Sequence, residues 1–340
     1  MPRSSRMKLL AKVEKLTDSR VIVLFLGDRR GLETRIAADI LPFCSEHLAT
    51  IGETKKVTLF LYSTGGITMS GYAIANLLRE YCESYDVIVP FKALSCATLI
   101  SLGADNIIMT KMGQLSPIDP SVLSPLGPLA QVPGPAGMQL QQVPVSVEDV
   151  INYIDLARKA VNINDEELLT RLFDRMSQSV HPLVLGSVYR SREQIGFLAQ
   201  MLLERHMNDH EKIKKIIETV TRGRFSHDYL IGRREAKEIL GLPIANISAD
   251  LETTIVNLYS QYDQLLKLSV PYHPEQILNG QNKGIGDLNR AIIETKGFTH
   301  VFRTKKEVTK TELTPPMVPQ PQPAYVEAIL SEAWETDNNL

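Results

Sequence analysis

Short apolar runs recur in the first third of the chain, and each is followed by a small-residue turn and a helical pattern. Residues 57–62 and 87–89 are β-branched and apolar on both faces, which is typical of strands covered by helices on both sides. Residues 69–83 and 96–102 follow them with apolar residues at helical spacing. Residues 107–109 predict another buried strand. This alternation predicts an α/β fold in which right-handed crossovers join a mostly parallel central sheet with flanking helices.

Composition and periodicity divide the rest of the chain around this unit. The predicted parts are an N-terminal amphipathic helix at residues 1–20, an α/β domain at 21–245 with a Pro/Gly-rich insertion at 121–145, a helical extension at 246–313 with one strand near 299–304, and a proline-rich linker with a short terminal helix at 314–340.

The insertion at residues 121–145 is rich in Pro, Gly and Gln and directly follows the segment 117–120, Pro-Ile-Asp-Pro. This composition predicts a loop. Two interpretations stay open for it, a mobile surface insertion and a lid or substrate-binding strip.

Two of the predicted strand-to-helix turns have the residues that acyl transfer needs. Gly65 and Gly66 follow the first strand, and glycine allows positive φ and exposes backbone N–H groups. Ser95 stands at the start of a helix, where its hydroxyl lies near the positive end of the helix dipole. A serine nucleophile and an oxyanion hole made of the Gly66 and Cys96 N–H groups follow from this arrangement. The alternative is that Ser95 only caps the helix and the glycines form an ordinary turn.

These motifs resemble those of the Clp-fold serine peptidases, which include Clp protease and the signal peptide peptidases. The chain is most similar to the serine dehydrogenase proteinase (SDH) family. The resemblance extends over residues 20–245 and is carried by Ser63-Thr64-Gly65-Gly66, the small-residue run from Ser95, and the segments 102–109, 113–120, 226–231 and 235–242. It implies a Clp/crotonase-like fold and a serine-type endopeptidase, with Ser95 as nucleophile and Gly66 and Cys96 as oxyanion donors.

The general base is where the sequence departs from this pattern. In Clp proteases a histidine follows the serine at the end of the next strand, but here Asp119 stands in that region and no histidine does. His227 precedes a helix similar to the one ahead of which Clp proteases supply the third member of the triad, so it is one candidate base. Two interpretations stay open for Asp119. It has a catalytic role, in which it orients a histidine or acts on a water, or it only forms a turn next to Pro120. Lys159, in a Ser-Lys dyad, and His181 are further candidates.

Composition and charge exclude other classes of function. A net charge of −2 over 340 residues gives no indication of nucleic acid or an acidic lipid surface as a partner. The three cysteines are scattered and lie in apolar contexts, which indicates reduced thiols in a cytoplasmic protein. The sequence contains no pattern of a signal peptide and no apolar run long enough to span a membrane. Membrane association stays possible, but no transmembrane segment supports it.

No cofactor or metal is expected from the sequence. His206 and His210 have i, i+4 spacing, but no third ligand accompanies them. No glycine-rich nucleotide fingerprint or phosphate loop follows a predicted strand, so any ATP dependence would come from a partner.

Two function classes stay open at this point. In the first, the protein is a peptidase that cleaves peptide or protein substrates through an acyl-enzyme on Ser95. In the second, it is a catalytically inactive Clp-fold oligomeric scaffold or binding protein, which the missing histidine favours. A third class, acyl-CoA chemistry of crotonase type, uses the oxyanion hole without a serine nucleophile, so Ser95 argues against it. The surplus of amphipathic helices, together with the resemblance, implies a homo-oligomer.

Overall fold

The structure, a computed structural model, describes residues 3–118, 121–134, 137–221, 229–313 and 322–340. Its elements are, in chain order, α1 (Arg3–Thr17), β1 (Arg20–Leu26), α2 (Leu41–Ile51), β2 (Thr54–Tyr62), α3 (Thr68–Tyr81), β3 (Cys82–Val89), β4 (Lys92–Ala93), α4 (Cys96–Leu102), β5 (Asn106–Met109), β6 (Gln114–Leu115), β7 (Ser121–Val122), β8 (Leu129–Gly134), β9 (Gly137–Gln142), β10 (Val145–Ser146), α5 (Val147–Asp155), α6 (Glu166–Ser179), α7 (Pro182–Leu203), α8 (His210–Thr221), β11 (Ile231–Gly232), α9 (Arg233–Glu238), α10 (Ala249–Leu266), α11 (Glu275–Leu278), β12 (Lys283–Glu294), β13 (Thr299–Leu313) and β14 (Gln322–Thr336). A 3₁₀ turn precedes α2 and a π-helical turn follows α5.

The chain forms two compact units. The first, which we call the sheet unit, consists of Met1–Leu115 and Ile231–Leu340. The second, the insert unit, is Ser116–Leu230. The strands β6 and β11, on either side of the insert unit in the chain, pair antiparallel through Leu115 and Ile231. The chain therefore leaves and re-enters the sheet unit on adjacent strands.

A seven-stranded sheet in the order β14-β13-β12-β1-β2-β3-β5 forms the centre of the sheet unit. The strands β1, β2, β3 and β5 run parallel to one another, as the apolar runs predict. The α/β fold class with flanking helices is thus confirmed. The strands β12, β13 and β14 continue the sheet antiparallel from β1, so the sheet is mixed.

The parallel strands are buried because helices cover them. On one face, Leu10 and Val13 of α1 and Ile255, Leu258 and Tyr262 of α10 join the core formed by β1, β2 and β3. Near-complete burial explains why these strands read as continuous apolar runs rather than as alternating patterns.

The C-terminal part of the chain corrects the sequence prediction. Residues 324–334 belong to strand β14 and do not form the predicted terminal helix. The Ala, Leu and Glu residues of this segment favour a helix. Pairing with β13 along the segment from Gln322 to Thr336 overrides that preference, and strand propensity depends on such context.

The predicted helical extension at residues 246–313 is likewise only partly helical. Its main helix is α10, followed by the short α11 and then by β12 and β13. The strand predicted near residues 299–304 is confirmed as the first part of β13.

The insert unit contains helices α5 to α8 and two small sheets, β7 with β10 and β8 with β9. The pair β8 and β9 forms a hairpin in the segment 121–145, for which the sequence predicted a loop. Its role as a lid or substrate-binding strip stays a prediction.

A buried ion pair fixes the N-terminal helix on the sheet unit. Arg6 donates two hydrogen bonds of 2.9 Å to the two carboxylate oxygens of Glu294, one from Nε and one from Nη2. The hydroxyls of Tyr262 and Thr299 donate to the same carboxylate at 2.6 Å. Arg6 is 1% exposed and Glu294 is completely buried. Arg3 also lies 3.6 Å from Glu294, and Arg6 also donates to the Leu340 carbonyl oxygen at 3.0 Å, but the pair of Arg6 with Glu294 is the contact in which both charges are buried.

We predict that Glu294→Gln destabilises the protein by about 3–5 kcal/mol, because it leaves a buried guanidinium without a counter-charge. The free energy of unfolding from urea denaturation measures this loss.

The matched control is Asp250→Asn. Asp250 pairs with Lys12 of α1 at 2.5 Å, but the two side chains are 57% and 46% exposed. Loss of such an exposed pair should cost less than about 1 kcal/mol. Equal losses in the two variants would contradict a structural role specific to the buried pair.

Candidate active site

Ser95 lies in a strained turn between β4 and α4. Its φ of 50° and ψ of −115° are uncommon for a residue other than glycine. Its side chain makes no capping hydrogen bond to α4, so the alternative that Ser95 serves as an ordinary N-cap is not supported. A serine held on a strained strand-to-helix turn is the geometry of a nucleophile elbow.

The backbone ahead of Ser95 is fixed by Ser63, the residue that follows β2. The Ser63 N–H donates to the Lys92 carbonyl at 3.0 Å, and the Leu94 N–H donates to the Ser63 carbonyl at 3.0 Å. At the start of α4, the Thr98 hydroxyl donates to the Ala93 carbonyl at 2.9 Å. The turn therefore has little freedom to relax.

The diglycine turn packs directly against Ser95. A Cβ atom on Gly65, where φ is +121°, would lie 2.9 Å from the Ser95 Cβ and 3.2 Å from the Leu94 carbonyl oxygen. A Cβ atom on Gly66 would lie 2.2 Å from the Ile36 carbonyl oxygen. Contacts under 3.0 Å require the structure to shift, so both positions need glycine for close approach as well as for their φ.

The two predicted oxyanion donors keep their N–H groups available. The Ile36 N–H donates to the Gly65 carbonyl, and the Ile67 N–H donates to the Ile36 carbonyl, both at 2.8 Å. In this parallel bridge the N–H of Gly66 points away from Ile36. Cys96 is the first residue of α4, where N–H groups have no intrahelical acceptor. Within the described part of the chain, no protein acceptor takes either N–H.

The Cys96 side chain is part of the core. Its Sγ contacts the Ile67 carbonyl at 3.2 Å, and it lies so close to Gly71 that a Cβ there would be 2.4 Å away. Burial raises the pKa of the Cys96 thiol to about 12, so the thiol stays neutral at physiological pH. Cys96 can therefore contribute its backbone N–H but no thiolate nucleophile.

The structure describes two of the four candidate general bases, Lys159 and His181. Asp119 and His227 both lie outside the described residues, so their roles stay predictions. Lys159 pairs with Asp155 at 2.6 Å, and its side chain is 74% exposed. An exposed lysine in an ion pair on a helix surface does not fit the buried setting of a Ser-Lys dyad. The Nδ1 atom of His181 accepts a hydrogen bond from the Leu183 N–H at 3.2 Å, which is a helix-capping role.

Two buried histidines in the sheet unit bond to each other. The Nε2 atom of His47 lies 3.2 Å from Nδ1 of His300, and Nδ1 of His47 lies 3.0 Å from the Thr295 hydroxyl. Burial lowers the pKa of His47 to about 3 and also lowers the pKa of His300. Both side chains are neutral and engaged near pH 7, which is a structural role.

The described residues support neither a metal site nor a membrane span. His206 lies beyond the end of α7 and His210 begins α8, so the two do not share a helix face. In the described ranges, no three His, Cys, Asp or Glu side chains are grouped as metal ligands would be. Within the same ranges, every helix is too short or too polar to cross a membrane.

One residue that shapes the site was not singled out by the sequence. The Ser63 hydroxyl accepts a hydrogen bond from the Gly65 N–H at 3.0 Å and donates to the Gly65 carbonyl at 3.2 Å. This local bond bends the chain ahead of Gly66. A serine two residues before a glycine is the signal for such a turn, and it is visible in the sequence.

The comparisons with known proteins agree with these motifs. The sequence model of the ClpP-like SDH-type serine proteinases matches residues 43–181, the segment that contains the Gly65–Gly66 turn and Ser95. The resemblance predicted from the motifs is confirmed over this segment.

Two similar proteins and one similar structure can be described. The uncharacterized proteins MJ0137 and MJ1495 of Methanocaldococcus jannaschii are 28% and 25% identical to this chain over 61% and 79% of its length. The chain spans 59% of the length of the first and 81% of the second. The solved structure of ClpP1 from Listeria monocytogenes is 15% identical, covers 70% of this chain and 98% of its own, and has a TM-score of 0.36.

We predict that Gly65→Ala lowers the rate at which a fluorophosphonate probe labels Ser95 by at least about tenfold. The new Cβ displaces Ser95 or the diglycine turn, and misplacement of reacting groups by an ångström costs up to about a hundredfold. Intact-protein mass spectrometry over time measures the labelling.

Gly52→Ala is the control for backbone strain. Gly52 also has a positive φ, of 75°, but a Cβ there would meet no atom within 4 Å. It should lower the melting temperature and leave the labelling rate within about twofold. Equal labelling losses in the two variants would contradict a specific contact between Gly65 and Ser95.

Proposed function

We propose that this protein is a serine-type peptidase that cleaves peptide bonds through an acyl-enzyme on Ser95. The observation that carries the proposal is the strained turn at Ser95 packed against Gly65, with the N–H groups of Gly66 and Cys96 left available beside it. The match to the ClpP-like SDH-type serine proteinases over residues 43–181 supports the same reaction class.

The reaction begins with attack by the Ser95 hydroxyl oxygen on the carbonyl carbon of the scissile peptide bond. The hydroxyl proton passes to a general base, and the carbonyl oxygen becomes an oxyanion that accepts hydrogen bonds from Gly66 and Cys96. Collapse of this intermediate breaks the C–N bond, and the leaving amine takes the proton. A water molecule then repeats the sequence on the ester and releases Ser95.

His227 is the residue we propose as the base, and Asp119 is proposed to orient it or to act on water. The support for both is their position in the motif-bearing segments of the sequence. His47 and His300 are buried and bonded to each other, which leaves them unsuited to this role.

A homo-oligomer in the cytoplasm also belongs to the proposal. Phe173 of α6 and Tyr189 and Phe197 of α7 are 51%, 64% and 60% exposed, and α6 buries none of its residues whose side chains are described. Large exposed aromatic side chains are typical of protein–protein contact surfaces.

We predict that Ser95→Ala abolishes fluorophosphonate labelling and that His227→Ala reduces it by at least about a hundredfold, because a neutral serine hydroxyl without a base is a poor nucleophile. Hydrolysis of an unstructured peptide substrate should fall in the same variants, and the double variant should be no worse than the worse single one. In the parent, the labelling rate should rise with pH through about 6.5, the ordinary histidine pKa.

Cys96→Ala is the matched control, since it removes a buried neutral thiol and keeps the backbone N–H. It should label within about threefold of the parent, in line with a volume change in the core and not the loss of a nucleophile. A parent protein that never labels would overturn the peptidase proposal and favour an inactive oligomeric scaffold.

We predict an oligomer at micromolar concentration, measured by light scattering coupled to size exclusion. Phe173→Glu and Phe197→Glu should shift the mass toward the monomer, because each places a charge in a buried contact. A monomeric parent would contradict the proposal.

A further inference from the structure

Asp28 connects the two segments that form the candidate active site, although it belongs to neither. It follows the last residue of β1 by one glycine, and that glycine is fixed by two backbone hydrogen bonds. The Gly27 N–H donates to the Arg290 carbonyl and the Thr34 N–H donates to the Gly27 carbonyl, both at 2.9 Å. The position of Asp28 is therefore set by the sheet.

The carboxylate of Asp28 makes one contact to each of the two segments. Its Oδ1 atom accepts a hydrogen bond of 2.7 Å from the hydroxyl of Tyr62, the last residue of β2. Its Oδ2 atom accepts a hydrogen bond of 2.6 Å from Nζ of Lys92, the first residue of β4. Tyr62 leads directly into the diglycine turn, and Lys92 leads within three residues to Ser95.

These contacts are rigid compared with an ordinary surface ion pair. Tyr62 is 1% exposed and its ring stacks on Phe25 with centroids 4.4 Å apart. The side chains of Asp28 and Lys92 are 16% and 29% exposed. The Asp28 carboxylate thus accepts from a partly buried lysine on one oxygen and from a buried phenol on the other. The hydrogen bond from the lysine is charge-assisted, and the two contacts together fix the orientation of the carboxylate.

Two titratable groups of α10, Asp263 and Tyr259, interact electrostatically with this carboxylate. Burial raises the pKa of Asp263, and the charge of Asp28 adds to this effect. Burial, followed by the charges of Asp263 and Asp28, raises the pKa of Tyr259 to about 12. Lys92 pairs directly with Asp28 at 2.6 Å and so offsets part of this negative charge.

We propose that Asp28 is a positioning residue that sets the distance between Ser95 and the diglycine turn through Lys92 and Tyr62. This inference rests on the proposed peptidase function of Ser95. Backbone hydrogen bonds already join the two segments at Ser63, but beyond that point one continues into the positive-φ turn of Gly65 and Gly66 and the other into the strained turn at Ser95. The side-chain contacts of Asp28 hold Tyr62 and Lys92 in place. Movement of either turn away from the other would therefore break one of these contacts.

The test compares two lysine–aspartate pairs that differ in position and match in chemistry. Lys92→Met breaks the pair at the carboxyl end of β2. Lys56→Met breaks the pair of Lys56 with Asp86, which joins β2 to β3 near their amino ends at 2.5 Å. The two lysine side chains have nearly the same exposure, 29% and 28%.

We expect Lys92→Met to lower the maximal rate constant of acylation by a fluorophosphonate at least about tenfold, while the concentration for half-maximal rate changes less than about threefold. Positioning acts on the bond-forming step and not on the encounter with the probe. Lys56→Met should leave both parameters near those of the parent and lower the melting temperature at least as much as Lys92→Met, because it leaves Asp86, which is 3% exposed, without its cation. Lys92→Arg should recover most of the rate, since it restores a donor to Asp28.

Asp28→Asn and Tyr62→Phe extend the test to the other members of the bridge. Each should reduce the acylation rate constant, and Asp28→Asn combined with Lys92→Met should be no worse than the single variants.

The outcomes separate this inference from the function on which it rests. If the parent labels at Ser95 and the two lysine variants lose rate equally, or if neither loses rate, the role of Asp28 is overturned and the peptidase proposal stands. If the parent does not label at Ser95, the proposed function fails and the positioning role fails with it.

Discussion

The contact between Gly65 and Ser95 is the constraint on which the candidate site depends. Any side chain at position 65 would begin 2.9 Å from the Ser95 Cβ, so the two turns come together only because one of them lacks a side chain. The same approach forces Ser95 into a conformation with φ of 50°, which a serine adopts only when its surroundings hold it there. The pairing of β4 with the end of β2 supplies that hold. The geometry of the proposed nucleophile and that of the proposed oxyanion donors are therefore set by the same backbone contacts.

Two carboxylates of the sheet unit, Glu294 and Asp28, have different structural roles. Glu294 is completely buried and accepts hydrogen bonds from Arg6, Tyr262 and Thr299, so its cost of burial is compensated within the core. It joins α1 and α10 to the sheet. Asp28 is partly exposed and bridges two chain segments, one of which leads to the diglycine turn and the other to Ser95. The first arrangement stabilises the fold, and the second restrains distances that a catalytic site needs.

The local part of this structure was predictable from the sequence, because a strand, its turn and the next helix leave their pattern in neighbouring residues. Gly65, Gly66 and Ser95 belong to this class, since the chemistry of each is visible in its own segment. Strand β14 does not, because its residues favour a helix and only the distant partner β13 decides otherwise. Asp28 and Lys92 also escaped prediction. A single aspartate and a single lysine 64 positions apart carry no periodicity, and only the fold brings them to 2.6 Å.

The position of β1 in the sheet has a consequence for the order in which the chain assembles. One edge of β1 pairs with β2, its neighbour in sequence, but the other edge pairs with β12, as between Val23 and Glu294. On the ribosome, β1 and β2 emerge long before β12, and the whole insert unit is made between them. During that time a strand that is almost completely buried in the finished protein has an unpaired apolar edge. Such edges bind other chains, and contacts between distant residues close slowly. The nascent protein therefore passes through an interval in which the unpaired edge of β1 is open to pairing with other chains.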